Sequence, residues 1–319
     1  LKEVVVNGFK QDHISNAPMS VSVAGSTFLQ RNELNGLRDM SSVFPNLFIA
    51  DYGARQNTPI YIRGIGSKTN APSVGLYVDG MPYFERSVVD LDIAGISGIE
   101  VLRGPQGTLY GRNSTGGLIN IYTYSPLDYQ NTIAKISYGS RNDVRLGLAH
   151  YQKIAPRLGL HVAGNYHRND GFFRNIYTGK KADDLQSANA KVGLAWQAAP
   201  LWTMRLNVLF DHSTQGGYPY GLYHADDNTT EAVNYNRYSS YRRNVLSAGM
   251  NWLYKGEAFH FNAQTSFQHS KDKQYIDQDF MPRDLFFTIT GLKQTLVSQE
   301  FTLRSANNDC CYHWITGAF

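Results

Sequence analysis

Residues 99–123 read IEVLRGPQGTLYGRNSTGGLINIYT. An apolar strand pattern at Ile99 and Val101 gives way to Arg103-Gly104-Pro105, and Gly116-Gly117 lead into a second strand pattern at Leu118, Ile119 and Ile121. Between the two strands, glycines at 104, 107 and 111 punctuate a tight coil where the chain can take positive φ or admit another backbone. A phosphate loop needs Lys and then Ser or Thr after its last glycine, whereas Gly117 is followed by Leu118. Gly64-Ile65-Gly66 lacks the third glycine of a dinucleotide fingerprint.

The chain around this stretch has 319 residues, 42 % hydrophobic, 18 % charged and 13 % aromatic, with 29 Gly and 21 Tyr. That is too apolar for disorder, yet no run of about 18 apolar residues suggests a membrane helix. A transmembrane β-barrel passes that test unseen, because its strands alternate lipid-facing and lumen-facing residues. The formal net charge of +4 comes with no basic stripe, which argues against nucleic acid. Cys310 and Cys311 are adjacent, so they offer neither a disulfide framework nor zinc spacing. No signal peptide pattern stands at Leu1, so a removed leader or a longer precursor is expected.

Beyond Pro126 the pattern turns to long period-two runs. Trp202, Met204, Leu206, Val208 and Phe210 fall on one face, and Thr203, Arg205, Asn207 and Asp211 on the other. Ala190, Val192, Leu194 and Trp196 oppose Asn189, Lys191 and Gln197, and similar rows run through 246–252 and 259–268. Such lengths suit the nine to eleven or so residues that cross a bilayer at a tilt. Short connections at 155–157, 198–200, 255–257 and 306–309 alternate with long ones at 169–185, 214–241 and 271–294, as in outer-membrane barrels. Aromatics flank the short turns, as an interfacial girdle would. About nine strands can be counted. Strands roughly 4.8 Å apart and tilted near 45° would close nine on a radius of about 10 Å, while roughly 22 strands give about 24 Å. A domain of about 125 residues, with a radius of gyration near 14 Å, fits only the larger ring. The pattern therefore predicts a chain that stops part-way round its barrel.

Upstream, Ser26 is expected to cap a helical turn, and a second helix is expected from Asn35, with Leu37, Met40 and Val43 on one side and Pro45 ending it. Short strands are expected at 60–63, 76–78, 99–102 and 118–122.

Three segments in order resemble the plug domain of TonB-dependent outer-membrane receptors: Ile60-Tyr61-Ile62-Arg63-Gly64, Val74-Gly75-Leu76-Tyr77-Val78-Asp79-Gly80, and the run from Ile99 to Asn120. The resemblance covers residues 1–125 by motif and the remainder by pattern. It implies an α+β plug at 9–126 followed by an incomplete antiparallel transmembrane β-barrel at 127–319, in the outer membrane of a Gram-negative bacterium. It also implies energised import of a bulky ligand, most often an iron–siderophore chelate, with TonB and its ExbB and ExbD motor as partners. Residues 1–8, with Glu3, Val4, Val5 and Val6, resemble a TonB box, although the same valines also read as the first strand of the plug.

The resemblance places Tyr52, Arg55, Gln56, Lys68, Asn70, Tyr83, Phe84 and Arg86 in apical plug loops that meet ligand, as aromatics with convergent donors would. Tyr218, Tyr220 and Tyr223 in the longest outer loop are further candidates. Arg63 and Arg103 match plug arginines that pair with barrel glutamates, for which Glu300 is the candidate partner. No catalytic constellation is present: there is no Gly-x-Ser-x-Gly elbow and no His-Glu-x-x-His. His161 and His167 lie about 20 Å apart along one strand, too far for one metal, and no cofactor is expected. The competing expectations are a passive porin or adhesin-type barrel, and a soluble glycan-binding or hydrolytic β protein. The latter requires the row Trp202 to Phe210 to be covered by a second sheet.

Overall fold

The computed structural model describes residues 5–7, 11–13, 20–32, 34, 36–55, 58–67, 72–83, 95–306 and 314–319. Of the residues singled out above, Leu1, Glu3, Val4, Asn35, Gln56, Lys68, Asn70, Phe84, Arg86, Cys310 and Cys311 lie outside them. Strands β1 (Val5–Asn7) and β2 (Gln11–His13) form an antiparallel ladder of their own. Then follow β3 (Ser20–Gly25), helix α1 (Ser26–Arg31), β4 (Leu47–Ile49), β5 (Ile60–Ile62), β6 (Ile65–Gly66), β7 (Val74–Val78), β8 (Met81–Tyr83), β9 (Ile96–Arg103), the single turn α2 (Gly107–Tyr110) and β10 (Gly117–Thr123).

The opening motif supplies the centre of this domain. Strands β9 and β10 pair antiparallel within a sheet of order β3-β9-β10-β7-β8, whose β10–β7 contact is parallel. Every residue of β7 is buried, as a strand covered on both faces requires. Asp79 and Gly80 both take positive φ and turn β7 into β8 in two residues, so that Val78 faces Met81. Two local expectations change. Gly25, not Ser26, occupies the helix cap, and no side chain caps there. The helix expected from Asn35 is a 3₁₀ turn at Arg38–Ser42; the spacing of three between Leu37, Met40 and Val43 is that of a 3₁₀ face, and Leu37 and Met40 are buried by it.

The wall is one nine-stranded antiparallel sheet: β11 (Asn131–Gly139), β12 (Asp143–Ala155), β13 (Leu158–Asn169), β14 (Leu185–Ala199), β15 (Trp202–Gly216), β18 (Ser240–Lys255), β19 (Phe259–Asp277), β20 (Phe287–Ser305) and β21 (Ile315–Ala318). A small hairpin of β16 (Tyr223–His224) and β17 (Thr229–Thr230) stands inside the loop between β15 and β18. All wall strands pair with their chain neighbours, and among the described residues β11 and β21 do not pair with each other. The strands run further outward than expected. Positions 214–216, 240–241, 271–277 and 287–294 are ladder, not loop, which leaves residues 278–286 as the last long connection.

The period-two faces separate cleanly. Trp202, Val208 and Phe210 are exposed on one side, while Asn207, Leu209 and Asp211 are buried on the other. Among the described residues no second sheet covers the exposed row. At the short-turn end, Trp202 lies 6.3 Å from Trp252 and 5.1 Å from Tyr254, and Tyr254 lies 5.3 Å from Phe259, ring centre to ring centre, forming an aromatic belt. The plug sits against the other face. Leu209 and Val245 of the wall join its hydrophobic core, and Met81 packs over Gly249. The Tyr151 hydroxyl donates to the Gly95 carbonyl at 3.3 Å.

Candidate functional site

Two sets of contacts tie plug to wall. The first is ionic. Lys191 on β14 projects from a row otherwise made of Ser187, Asn189, Gly193 and Ala195, and its ammonium donates to the Asp79 carboxylate and, at 2.9 Å, to Thr123 Oγ1. Asp79 also accepts from the Thr123 backbone N–H at 2.8 Å and from its hydroxyl at 2.9 Å. The side chains are 5 % and 14 % exposed, so the pair is nearly dry. Burial alone would raise the Asp79 carboxyl, but the adjacent Lys191 charge and the hydrogen bonds from Lys191 and Thr123 hold it below the usual carboxylate value. A folded pKa below the unfolded value of about 3.9 means stability that is present above that pH and lost as pH falls through the folded value. Plug seating should therefore be flat from neutrality to about pH 4 and weaken below it, and Asp79→Asn should flatten that acid limb in a pH series of melting curves.

The second set lies at the long-loop end. Gly53, at φ +79°, offers its carbonyl to the Tyr218 N–H at 3.3 Å, and the Arg55 N–H donates to Gln215 Oε1 at 2.8 Å. The Tyr220 hydroxyl donates to the Tyr52 carbonyl, and Gln274 of β19 reaches the Tyr218 hydroxyl. The Tyr220 ring stands 6.0 Å from Tyr218 and 5.2 Å from Phe280, so aromatics from two loops gather over the apex. Burial, with Asp51 and Tyr52 nearby, raises the Tyr220 hydroxyl above its ordinary pKa, so it stays a donor. Asp51 is itself paired with Arg38, which also holds Thr58 Oγ1 at 2.9 Å.

Thus Tyr52, Arg55, Tyr218 and Tyr220 come together. Tyr83 does not: it is the last residue of β8, 1 % exposed in the plug core, with its hydroxyl toward Ser247 and Asp211 of the wall. The Asp79-Gly80 turn reverses the chain so tightly that 81–83 become strand and not apical loop. Tyr223 stays in the outer hairpin, its hydroxyl on Asn228 at 2.7 Å. His161 stacks on Tyr151, and His167 rests beside Asp143.

The arginine latch also differs from expectation. Arg103 donates to Ser20 Oγ at 3.0 Å, Ser22 Oγ at 2.8 Å and the Pro45 carbonyl at 3.1 Å, all within the plug, because β3 runs directly beside the end of β9. Arg63 is exposed, and among the described residues no ion pair joins either arginine to Glu300. Glu300 instead lines a cavity of about 340 Å³ between plug and wall, facing Tyr77 and Tyr110. The ionic tie observed has the opposite polarity, with carboxylate on the plug and ammonium on the wall. Its sequence signal was a lone cation in a lumen row of small neutral residues, a position that needs a partner once covered.

The TonB-dependent Receptor Plug Domain family matches residues 13–118. The pesticin receptor of Yersinia pestis is 36 % identical over 199 residues, covering 60 % of this chain and 28 % of that protein. The crystal structure of the ferric yersiniabactin uptake receptor FyuA from Yersinia pestis superposes with a TM-score of 0.83 at 22 % identity, covering 95 % of this chain and 48 % of that one. The ferric preacinetobactin receptor BauA from Acinetobacter baumannii gives a TM-score of 0.66 at 14 % identity, with 93 % and 45 % covered. The chain thus spans less than half the length of the relatives it matches. Residues 13–118 thus match the plug domain of TonB-dependent receptors, and with that plug seated on a lipid-facing antiparallel wall the chain has the fold of the outer-membrane receptor structures it superposes on.

Proposed function

We propose that the full-length receptor imports an iron–siderophore type chelate, drawing energy through TonB with ExbB and ExbD. The observation that carries this reading is the junction of plug apex and outer loops. Tyr52, Tyr218, Tyr220 and Phe280 form an aromatic surface with hydroxyl and main-chain donors, suited to a bulky polar ligand, and it rests directly on the movable plug. Gln56, Lys68, Asn70, Phe84 and Arg86, outside the described residues, are further proposed ligand contacts on the strength of the sequence resemblance. Two of the relatives named above are a ferric yersiniabactin uptake receptor and a ferric preacinetobactin receptor, which favours a ferric chelate as the ligand class.

Residues 1–8 serve as the TonB box, 9–126 as the plug and 127–319 as wall. Among the described residues Val5–Asn7 pairs with Gln11–His13 and lies outside the plug sheet, and a strand of this kind can add to the sheet edge of a partner through main-chain hydrogen bonds. Deleting residues 1–8 from the full-length receptor should abolish uptake of radiolabelled ferric siderophore while leaving binding to whole cells intact. Uptake at the wild-type rate would remove the TonB-box assignment, and uptake that persists after the proton gradient is collapsed would turn the reading toward a passive barrel.

A further inference from the structure

The cavity that Glu300 lines is polarised along its length. It lies between strands β7 and β10 of the plug and strands β15, β18, β19 and β20 of the wall, with a volume of about 340 Å³. Ladder register arranges its wall side in rows. At the short-turn end, His260 stands directly opposite Lys255 on one side and Arg304 on the other. Nearer the middle of the wall, Gln264 stands directly opposite Asn251 on one side and Glu300 on the other. Arg205 closes that inner row beyond Asn251, exposed and two strands away from Gln264.

The inner end lacks donors. Gln264 is 4 % exposed; its amide nitrogen donates to Ser266 Oγ at 3.2 Å and to the Thr265 carbonyl at 3.1 Å, while its Oε1 has no partner. Glu300 faces Tyr77 and Tyr110, and among the described residues it enters no ion pair. The nearby plug hydroxyls are already committed: Tyr77 donates to the Tyr110 carbonyl at 3.1 Å, and Tyr122 donates to Glu100 at 2.9 Å. Asp79 is held by Lys191. A buried acceptor left without a donor is costly, so this end calls for N–H groups. The outer end has the opposite character. Lys255 is exposed and enters no ion pair among the described residues. Arg304 donates to His260 Nδ1 at 3.1 Å, which brings its guanidinium over the strand that separates it from Lys255. Glu300 and Arg304 stand four residues apart on β20, about 13 Å along the strand. An extended peptide of three residues spans about 10 Å, and the two side chains close the remainder.

We propose that this cavity binds a short zwitterionic peptide of about three residues, its ammonium at Glu300 and Gln264 Oε1, its carboxylate at Lys255 and Arg304, and its backbone against the Tyr77 and Tyr110 rings. The cavity is separate from the apical surface of Tyr52, Tyr218 and Tyr220, so the proposal stands or falls independently of the import reading. The test titrates the full-length receptor in neutral detergent with trialanine, N-acetyl-trialanine and trialanine amide, followed by calorimetry, for wild type, E300Q and K255Q/R304Q. Wild type should bind trialanine, and blocking either end of the peptide should weaken binding by roughly tenfold or more. E300Q should lose the penalty for N-acetylation and keep that for amidation, and K255Q/R304Q should do the converse. That crossing of preferences requires a ligand lying end to end in the cavity, whereas a damaged fold would lower all three affinities together. K255Q/R304Q changes the outer end alone and decides the orientation by itself if E300Q does not accumulate. No saturable binding of trialanine to wild type up to about 10 mM, equal binding of the blocked peptides, or any variant pattern other than that crossing would overturn the proposal.

Discussion

Lys191→Met unseats the plug. The substitution leaves the Asp79 carboxylate buried against Thr123 with no cation to compensate it. Breaking one member of a buried pair costs about 3–5 kcal/mol, a large share of the roughly 5–15 kcal/mol that holds a typical domain folded. The wall should survive, since Lys191 makes no ladder-specific contribution beyond its backbone. Two readouts follow in the full-length receptor: a lower, broader melting transition, and passage of a bulky antibiotic that intact outer membrane excludes. The double variant Asp79→Asn with Lys191→Met should recover most of the loss, because replacing both charges removes the uncompensated one. Wild-type melting and no leak in Lys191→Met would show that the plug is held by its apolar core and apex contacts alone.

The second large effect is expected at Gly117, the first residue of β10. Its φ is +146°, and a Cβ there would stand 2.3 Å from the Leu102 carbonyl oxygen and 2.9 Å from Ile62 Cδ1. The first obstacle is backbone of the neighbouring strand in the centre of the plug sheet, so no rotamer change relieves it. Strain and overpacking together place the cost of Gly117→Ala on the order of 3–5 kcal/mol. Limited proteolysis should cut the plug of this variant under conditions where the wild-type plug resists, while heat-modifiable migration of the wall on gels is retained. Gly111→Ala is the control: it also has positive φ, but nothing lies within 4 Å of the added carbon, so only the strain remains.

How far the chain could be read in advance depended on what lay on its two faces. Within the bilayer, lipid on one side and plug on the other impose alternation, so Trp202 to Phe210 declares its orientation in one dimension. Above the bilayer both faces are wet, and the rows from Ser270 to Gln274 are polar throughout; polarity there imitates a loop although the ladder continues to Asp277. Tyr218 and Tyr220 were legible because tyrosine is dense in their loop, whereas Phe280, their ring partner, comes from another loop entirely. The latch was illegible for a related reason. Several buried-side polar groups could pair with several plug charges, and only strand register decides that Lys191 meets Asp79 while Arg103 meets Ser20 and Ser22.

The hydrogen bond from the Tyr218 N–H to the Gly53 carbonyl joins the outer vestibule to the stopper through backbone groups alone, so side-chain replacement leaves that link in place, while the Arg55 N–H adds a second link that ends on the Gln215 side chain. Thermodynamic reciprocity then constrains traffic: if an occupied vestibule makes the stopper harder to displace, tension on the stopper must loosen the vestibule's hold by the same factor. On the import reading proposed above, pulling from the periplasmic side would thus lower cargo affinity as it clears the path, and release would need no separate trigger.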